Sequence, residues 1–227
     1  MAALPETDWT MMQSSFHQVT LNRDDVLLEP GGLYRRVYFP TEGIISIVAG
    51  FETGATVETA MIGAEGMVEV DAILGGRVSP RQHVVQLPGA ASVLPYDGFL
   101  QWSQEIPAFQ QVLFGYARAF VSQVLQTAAC NAVHSVHQRA ARWLLMCDDR
   151  NAHPAFSVTQ QFLGEMLGAS RNMVNAILRS MRQDGLIQHN RGLISISDRR
   201  GLERASCECY RLMRDAYRPA SLSVTGS

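Results

Sequence analysis

The chain has no lysine, so all 19 of its basic side chains are arginines. Every cation outside the histidines is therefore a planar guanidinium, suited to paired hydrogen bonds with phosphates and guanine edges. No apolar run approaches the roughly 18 residues needed to cross a bilayer, and the N-terminal stretch MAALPETDWTMMQSSF lacks a basic segment followed by an apolar one. A membrane span and secretion are not expected, and the protein is expected in the cytoplasm. Cysteine is sparse: Cys130, Cys147, Cys207 and Cys209 form no CxxC pair and fall far short of a disulfide framework. They read as reduced thiols. No Gly-x-Ser-x-Gly elbow, Walker loop or His-Glu-x-x-His is present, and the carboxylates are scattered through charged turns, so no enzyme is expected.

What is present is a globular composition, 47% hydrophobic and 18% charged, in a chain of 227 residues. That length and composition suit two domains with buried cores. The formal net charge of -2 is unevenly spread: residues 1 to 130 carry 6 Arg against 13 Asp and Glu, residues 131 to 227 carry 13 Arg against 8. A polyanionic partner would meet the C-terminal part.

From Val19 to Leu94 short alternating segments (VLLEP, RVYFP, GIISIVAG, TVETAMIG, HVVQLPG) are separated by Gly, Pro and Asp. This predicts an all-β barrel or jelly roll over residues 1–106. Residues 108–131 contain no proline and one glycine. Leu113, Ala117, Phe120 and Val124 recur at spacings of four and three, continued by Thr127 and Asn131 and broadened by Phe114, Val121, Leu125 and Ala128. A long helix with spare apolar surface predicts a homodimer seam on Leu113, Ala117, Phe120 and Val124. A second helix is expected over 135–148, so that 107–149 forms a helical connector and 150–227 the last domain, whose tail SLSVTGS is expected to fray.

Residues 157–182 hold two short helical patterns around Gly168, with Thr159 and Ser170 as N-caps. A steep turn at Gly168 and Ala169 makes a helix-turn-helix. Its outward residues Ser170, Arg171, Asn172, Asn175 and Arg179 suit base edges and phosphates, and Thr159 and Gln160 open the first helix beside them. The segment LIQHNRGLISISD reads as a hairpin, a wing that would bring His189 and Arg191 to a DNA backbone. The overall class is α+β: a β-barrel or jelly-roll effector domain, a long dimerisation helix and a winged helix-turn-helix. Double-stranded DNA is the expected partner. The alternative is a signalling module whose C-terminal domain binds protein instead.

The order of these parts, and above all TQQFLGEMLGASRNMVNAILRSMRQDGLI, resembles the Crp/Fnr family of bacterial regulators, as do VLLEPGGLYRRVYFPTEGIISIV and GAEGMVEVDAILGG. The resemblance implies a cyclic-nucleotide-binding-like domain, a dimer through the long helix, twofold-symmetric operators, RNA polymerase as a further partner and a small-molecule effector. The family's recognition signature falls on Ser170, Arg171 and Val174, with Asn172 where the family has Glu and Ala176 where it has a later Arg. Asn favours adenine where Glu favours cytosine, so the operator should differ. The family's effector pair of Gly and Glu falls on Gly63 and Ala64, with Glu65 one place later. Its phosphate-binding pair falls on Arg81 and Gln82, where the family has a hydroxyl residue second. Cyclic AMP is therefore not expected to act in the usual way.

No cofactor is expected. Cys130, His134 and His137 stand at metal-ligand spacing on one helical face, yet they fall at a helix junction without a visible fourth ligand, and Cys207 and Cys209 are expected to point apart on a helix. The iron-sulphur members of the family that the chain resembles use an N-terminal cysteine cluster, which is not expected here because no cysteine precedes Cys130.

Overall fold

The alternating segments between His17 and Pro95 pair into one antiparallel sheet in a computed structural model that describes residues 4–190 and 192–217. After helix α1 (Glu6–Met12) come β1 (His17–Leu21), β2 (Val26–Leu28), β3 (Arg36–Gly50), β4 (Thr56–Ile62) and β5 (Gln82–Pro95). The segments RVYFP and GIISIVAG, which read as separate strands, are one strand of 15 residues. Pro40 and Gly43 bend it rather than end it. Pro40 has no N–H to give, and the register against β5 slips between Pro40 and Glu42 and again before Ile44. Gly43 has φ 88°, and a Cβ there would stand 2.6 Å from the Leu87 carbonyl, so the two strands cross closely only with glycine.

The expected β-domain is present as one antiparallel sheet, open rather than closed on itself. Its hydrogen-bonded path runs β1-β5-β3-β4, with β2 also on β5. Strand β1 pairs with β5 over Gly89–Val93, whereas β4 pairs with the far half of β3, Ile45–Gly50. The edges thus lie at opposite ends of a bent ribbon and cannot meet.

Helix α2 (Tyr96–Glu105) leads into α3 (Pro107–Val133), which Pro107 starts without losing an intrahelical bond. Leu113 and Ala117 are buried against the protomer's own β-domain; Ala117 packs with Ile47, Ala60, Ile62 and Val70, and Phe120 and Val124 lean on that same cluster. Of the expected dimer seam, Leu113 and Ala117 are thus buried within the protomer, and Phe120 and Val124 are half-buried on the same face. The adjacent stripe remains bare, with Phe114, Val121 and Leu125 exposed by 50%, 48% and 65%. Both stripes are apolar, and the sheet takes the one that brings Leu113 and Ala117 inward.

The chain bends at His134 and Ser135, where a capping box between Ser135 and Gln138 starts α4 (Val136–Arg150). There follow β6 (Phe156–Ser157), α5 (Gln160–Leu167), α6 (Arg171–Gln183), β7 (Ile187–Asn190), β8 (Leu193–Ile196), α7 (Arg199–Ala205) and α8 (Cys209–Ala216). Trp143, Leu144 and Cys147 of α4 share one core with Leu163, Leu167, Val174 and Leu178 of α5 and α6, and this core continues into the sheet at Ile44, Val48, Met61 and Leu87. Helix α4 thus contributes to the core of the helix-turn-helix and to its contact with the sheet. The tail SLSVTGS lies outside the described residues.

Where α4 meets the sheet, a polar chain is enclosed. Trp143 Nε1 donates to Glu58 Oε1 at 3.1 Å, and Ser46 Oγ lies 2.6 Å from Glu58 Oε2 and 2.7 Å from Gln86 Oε1. With the Gln86 amide nitrogen turned to Cys147 Sγ at 3.2 Å, one hydroxyl proton must serve two acceptors. A protonated Glu58 supplies the missing proton, and burial raises its carboxyl from 4.5 to about 7 against the lowering effect of Ser46. The folded protein then holds a proton that the unfolded chain has released between 4.5 and about 7, so stability falls as pH rises through that window. Glu58→Gln should stabilise the protein by up to about 3 kcal/mol at pH 8, the gain shrinking towards zero below the window. Urea unfolding of both proteins at the two pH values decides; a gain independent of pH would refute the protonation.

Candidate nucleic-acid interface

Helix α5 begins where Thr159 Oγ1 accepts from Phe162 N at 3.1 Å, and it ends at Gly168, whose φ of 60° and ψ of 40° make a left-handed cap. Ala169 N returns to the Gly164 carbonyl at 2.8 Å, and Ser170 Oγ accepts from Met173 N at 3.3 Å to start α6. Val174, Leu178 and Met181 hold α6 on the core. Its other side carries Ser170, Arg171, Asn172 and Arg179 exposed, with Asn175 half-buried. Gln160 Nε2 donates to Asn175 Oδ1 at 3.3 Å, tying the two helices and leaving the Asn175 amide nitrogen to donate to an acceptor.

The wing is a three-stranded sheet, β6-β8-β7, with Gln188 opposite Ser195 and His189 opposite Ile194. Thr159, Gln160, Arg171 and His189 line one groove of about 550 Å³ between the starts of α5 and α6 and the wing. Four of the expected DNA-contacting residues are thus brought together; Asn172, Asn175 and Arg179 follow along α6, and Arg191 lies outside the described residues. Burial, and then the charge of Arg182, lower the His189 imidazole below its usual 6.5. At neutral pH His189 is a hydrogen-bonding group rather than a cation. Arg182, exposed on α6 near the wing, was not among the expected contacts, although its place eleven residues, about three helical turns, after Arg171 puts it on the same side of the helix. Arg199 is a basic side chain that is not free for a ligand: it bonds Asp148, Asp149 and the Tyr210 hydroxyl.

Of the four expected effector-pocket residues only Gly63 and Glu65 meet, and Arg81 and Gln82 lie apart from them. Glu65 accepts from Arg150 Nε of α4 at 2.7 Å and from Gly63 N at 3.2 Å. Gln82 donates to Glu29 at the surface, at 3.0 Å. Only Arg81 reaches the cleft of about 260 Å³ between the sheet and α3, with Asp71, Ser79, His83 and Phe120 among its other walls. The pairing of Glu65 with Arg150 could not be seen from local pattern, because 85 residues separate the partners.

The architecture is therefore an open antiparallel sheet, a long helix along it and a winged helix-turn-helix whose second helix has a bare outer face. Residues 138–205 match the Crp-like helix-turn-helix domain. The fold is that of the CLP global regulator of Xanthomonas campestris, at 16% identity and a TM-score of 0.67 over 85% of this chain and 99% of that one. It is equally that of FixK2 from Bradyrhizobium japonicum, at 13% identity and a TM-score of 0.67 over 85% and 98%. A CRP-family transcriptional regulator from Thermus thermophilus aligns at 18% identity and a TM-score of 0.69 over 83% and 96%. No curated protein matches the chain by sequence. Residues 138–205 thus carry a Crp-like helix-turn-helix domain, and the chain as a whole shares the fold of these regulators. Among the described residues no helix is long and apolar enough to cross a membrane.

Proposed function

We propose that this regulator binds an inverted-repeat operator as a homodimer, with α6 in the major groove and the β7–β8 wing on the sugar-phosphate backbone. The observation that carries the reading is the exposed first turn of α6: Arg171 and Asn172 stand clear of the protein while Ser170, Gly168 and the Gln160–Asn175 bond fix the direction of the helix. Had this face been packed inside the protomer, a protein-binding role for the C-terminal domain would have been the better reading. Arg171 suits guanine O6 and N7, Asn172 and Asn175 suit adenine N6 and N7, and Thr159 and Ser170 suit phosphate. Selection from a random DNA library tests the proposal; recovery of unrelated sequences without twofold symmetry would sink it. RNA polymerase is the further partner of a regulator acting at promoters, and a small effector would enter beside Arg81.

That effector is not cyclic AMP bound in the family's usual way. Ala64 offers no acceptor to a ribose hydroxyl, and the Glu65 carboxylate is already held by Arg150. A buried hydroxyl left unpaired costs about 1 to 3 kcal/mol, enough to carry a micromolar site towards the hundred-micromolar range. Calorimetric titration with cyclic AMP and cyclic GMP should show no binding in the micromolar range. A dissociation constant at or below about ten micromolar, coupled to tighter operator binding, overturns this part of the reading.

A further inference from the structure

Cys130, on the last turn of α3, and His134, its C-cap, face the short connection Ser206–Glu208 between α7 and α8. Cys207 precedes α8 and Cys209 is its first residue, so the two do not diverge on one helix as their spacing suggested. One donor atom from each of Cys130, His134, Cys207 and Cys209 lies within 4.8 Å of all the others, and His137 is not among them. Cys130 Sγ and Cys207 Sγ are 3.5 Å apart, and Cys209 Sγ is 3.6 Å from His134 Nδ1. A tetrahedral ion with bonds of about 2.3 Å to sulphur and about 2.0 Å to nitrogen requires donor-to-donor edges of about 3.5 to 3.8 Å. The observed separations bracket those edges.

The surroundings are those of a metal site rather than of four packed thiols and rings. His134 presents Nδ1 to the cluster and places Nε2 3.3 Å from the Glu208 carboxylate, the outer partner that fixes a ligating imidazole in its tautomer. Gln126 Nε2 donates to Cys209 Sγ at 3.0 Å, a bond that favours thiolate. Arg142 is 5% exposed, yet its guanidinium reaches only the thioethers of Met146 and Met213, at 3.3 and 3.1 Å, and its Nε has no partner among the described residues. A buried cation without a carboxylate partner is costly, and three thiolates around a divalent ion leave one net negative charge beside it. A Cys130–Cys207 disulfide would use two of the donors and leave Cys209, His134 and its Glu208 support without a task.

We propose that Cys130, His134, Cys207 and Cys209 form a Cys3His site for zinc, which clasps the end of the long helix to the start of α8. All four positions are filled by protein, the signature of a structural site with no open coordination for a substrate. The clasp spans the bend at His134 and Ser135, and thereby sets the direction in which α4 and the helix-turn-helix leave α3. Binding releases the thiol protons to solvent as the three thiolates form.

The test uses the full chain purified under reducing conditions, with zinc and then cobalt as probes. One zinc per chain should survive gel filtration, and cobalt exchanged into the site should show tetrahedral ligand-field bands with thiolate charge transfer. Cys207→Ser and Cys209→Ser should each abolish stoichiometric zinc, Glu208→Gln should weaken it by about 10- to 100-fold, and Cys147→Ser, which changes a buried thiol outside the cluster, should leave it intact. Should the serine variants fail to fold, the zinc content and cobalt spectrum of the unaltered chain decide alone. Absence of zinc, an octahedral cobalt spectrum, or a Cys130–Cys207 disulfide found by mass spectrometry in the reduced preparation would each overturn the proposal.

Discussion

Arg171→Ala should lower affinity for the selected operator by roughly 5- to 150-fold, the equivalent of about 1 to 3 kcal/mol, and relax the preference at one base pair in each half-site. Arg171 is the first residue of α6, exposed, and has no ion pair among the described residues, so its removal leaves the fold and the Ser170 cap untouched. The loss therefore reports on DNA and not on stability. Arg191→Ala, between Asn190 and Gly192 in the sequence, should instead weaken binding to every sequence and reduce the salt dependence by about one phosphate contact. Gel-shift titrations on the operator and on random DNA at two salt concentrations separate the two behaviours. Equal losses on both DNAs for Arg171→Ala would assign that side chain to phosphate alone.

Replacing Val121 and Leu125 together with Glu should yield a monomer at micromolar concentration and with it the loss of operator binding. In a dimer through the bare stripe of α3, four like charges would be buried without partners, a penalty of several kcal/mol. In the protomer the same side chains are half or more exposed, so its fold survives the change. Phe120→Glu makes the contrast, since Phe120 packs on Ile47, Ala60 and Ile62 and its loss should lower thermal stability. Sedimentation velocity with far-UV circular dichroism distinguishes a folded monomer from a damaged one; an unchanged dimer places the interface elsewhere. If the pair is C2-symmetric, two recognition helices about 34 Å apart call for half-sites one helical turn apart, a spacing the selected DNA must show.

Local chemistry made much of this architecture readable. Thr159 and Ser170 mark the two helix starts by hydrogen bonds that their hydroxyls make within three residues, and Gly168 marks the turn by a backbone angle that favours glycine. Period-two alternation located the strands, but Pro40 and Gly43 look like breaks because bulges that keep a bent strand continuous depend on its neighbour β5. Which face of α3 the protomer covers was not legible for a related reason. Two neighbouring apolar stripes carry the same periodicity, and only the sheet decides which is covered. Glu65 and the cysteine cluster lay furthest out of reach, since Arg150 and the Cys207 turn come to them from 85 and 77 residues away. Adjacency in sequence drew attention to His137, whereas the fold chose Cys207 and Cys209.

The continuous core from Ile44 and Met61 of the sheet through Trp143 of α4 to Leu178 of α6 has a consequence for how the protein comes apart. Separating the C-terminal unit from the sheet exposes Trp143, strands Glu58 without its indole partner and opens the core that both units share. The two units should melt together in a single cooperative transition, with calorimetric and van't Hoff enthalpies in agreement. Any molecule that grips the sheet then raises the melting temperature of the helix-turn-helix by the same mass action, because both belong to one folding equilibrium.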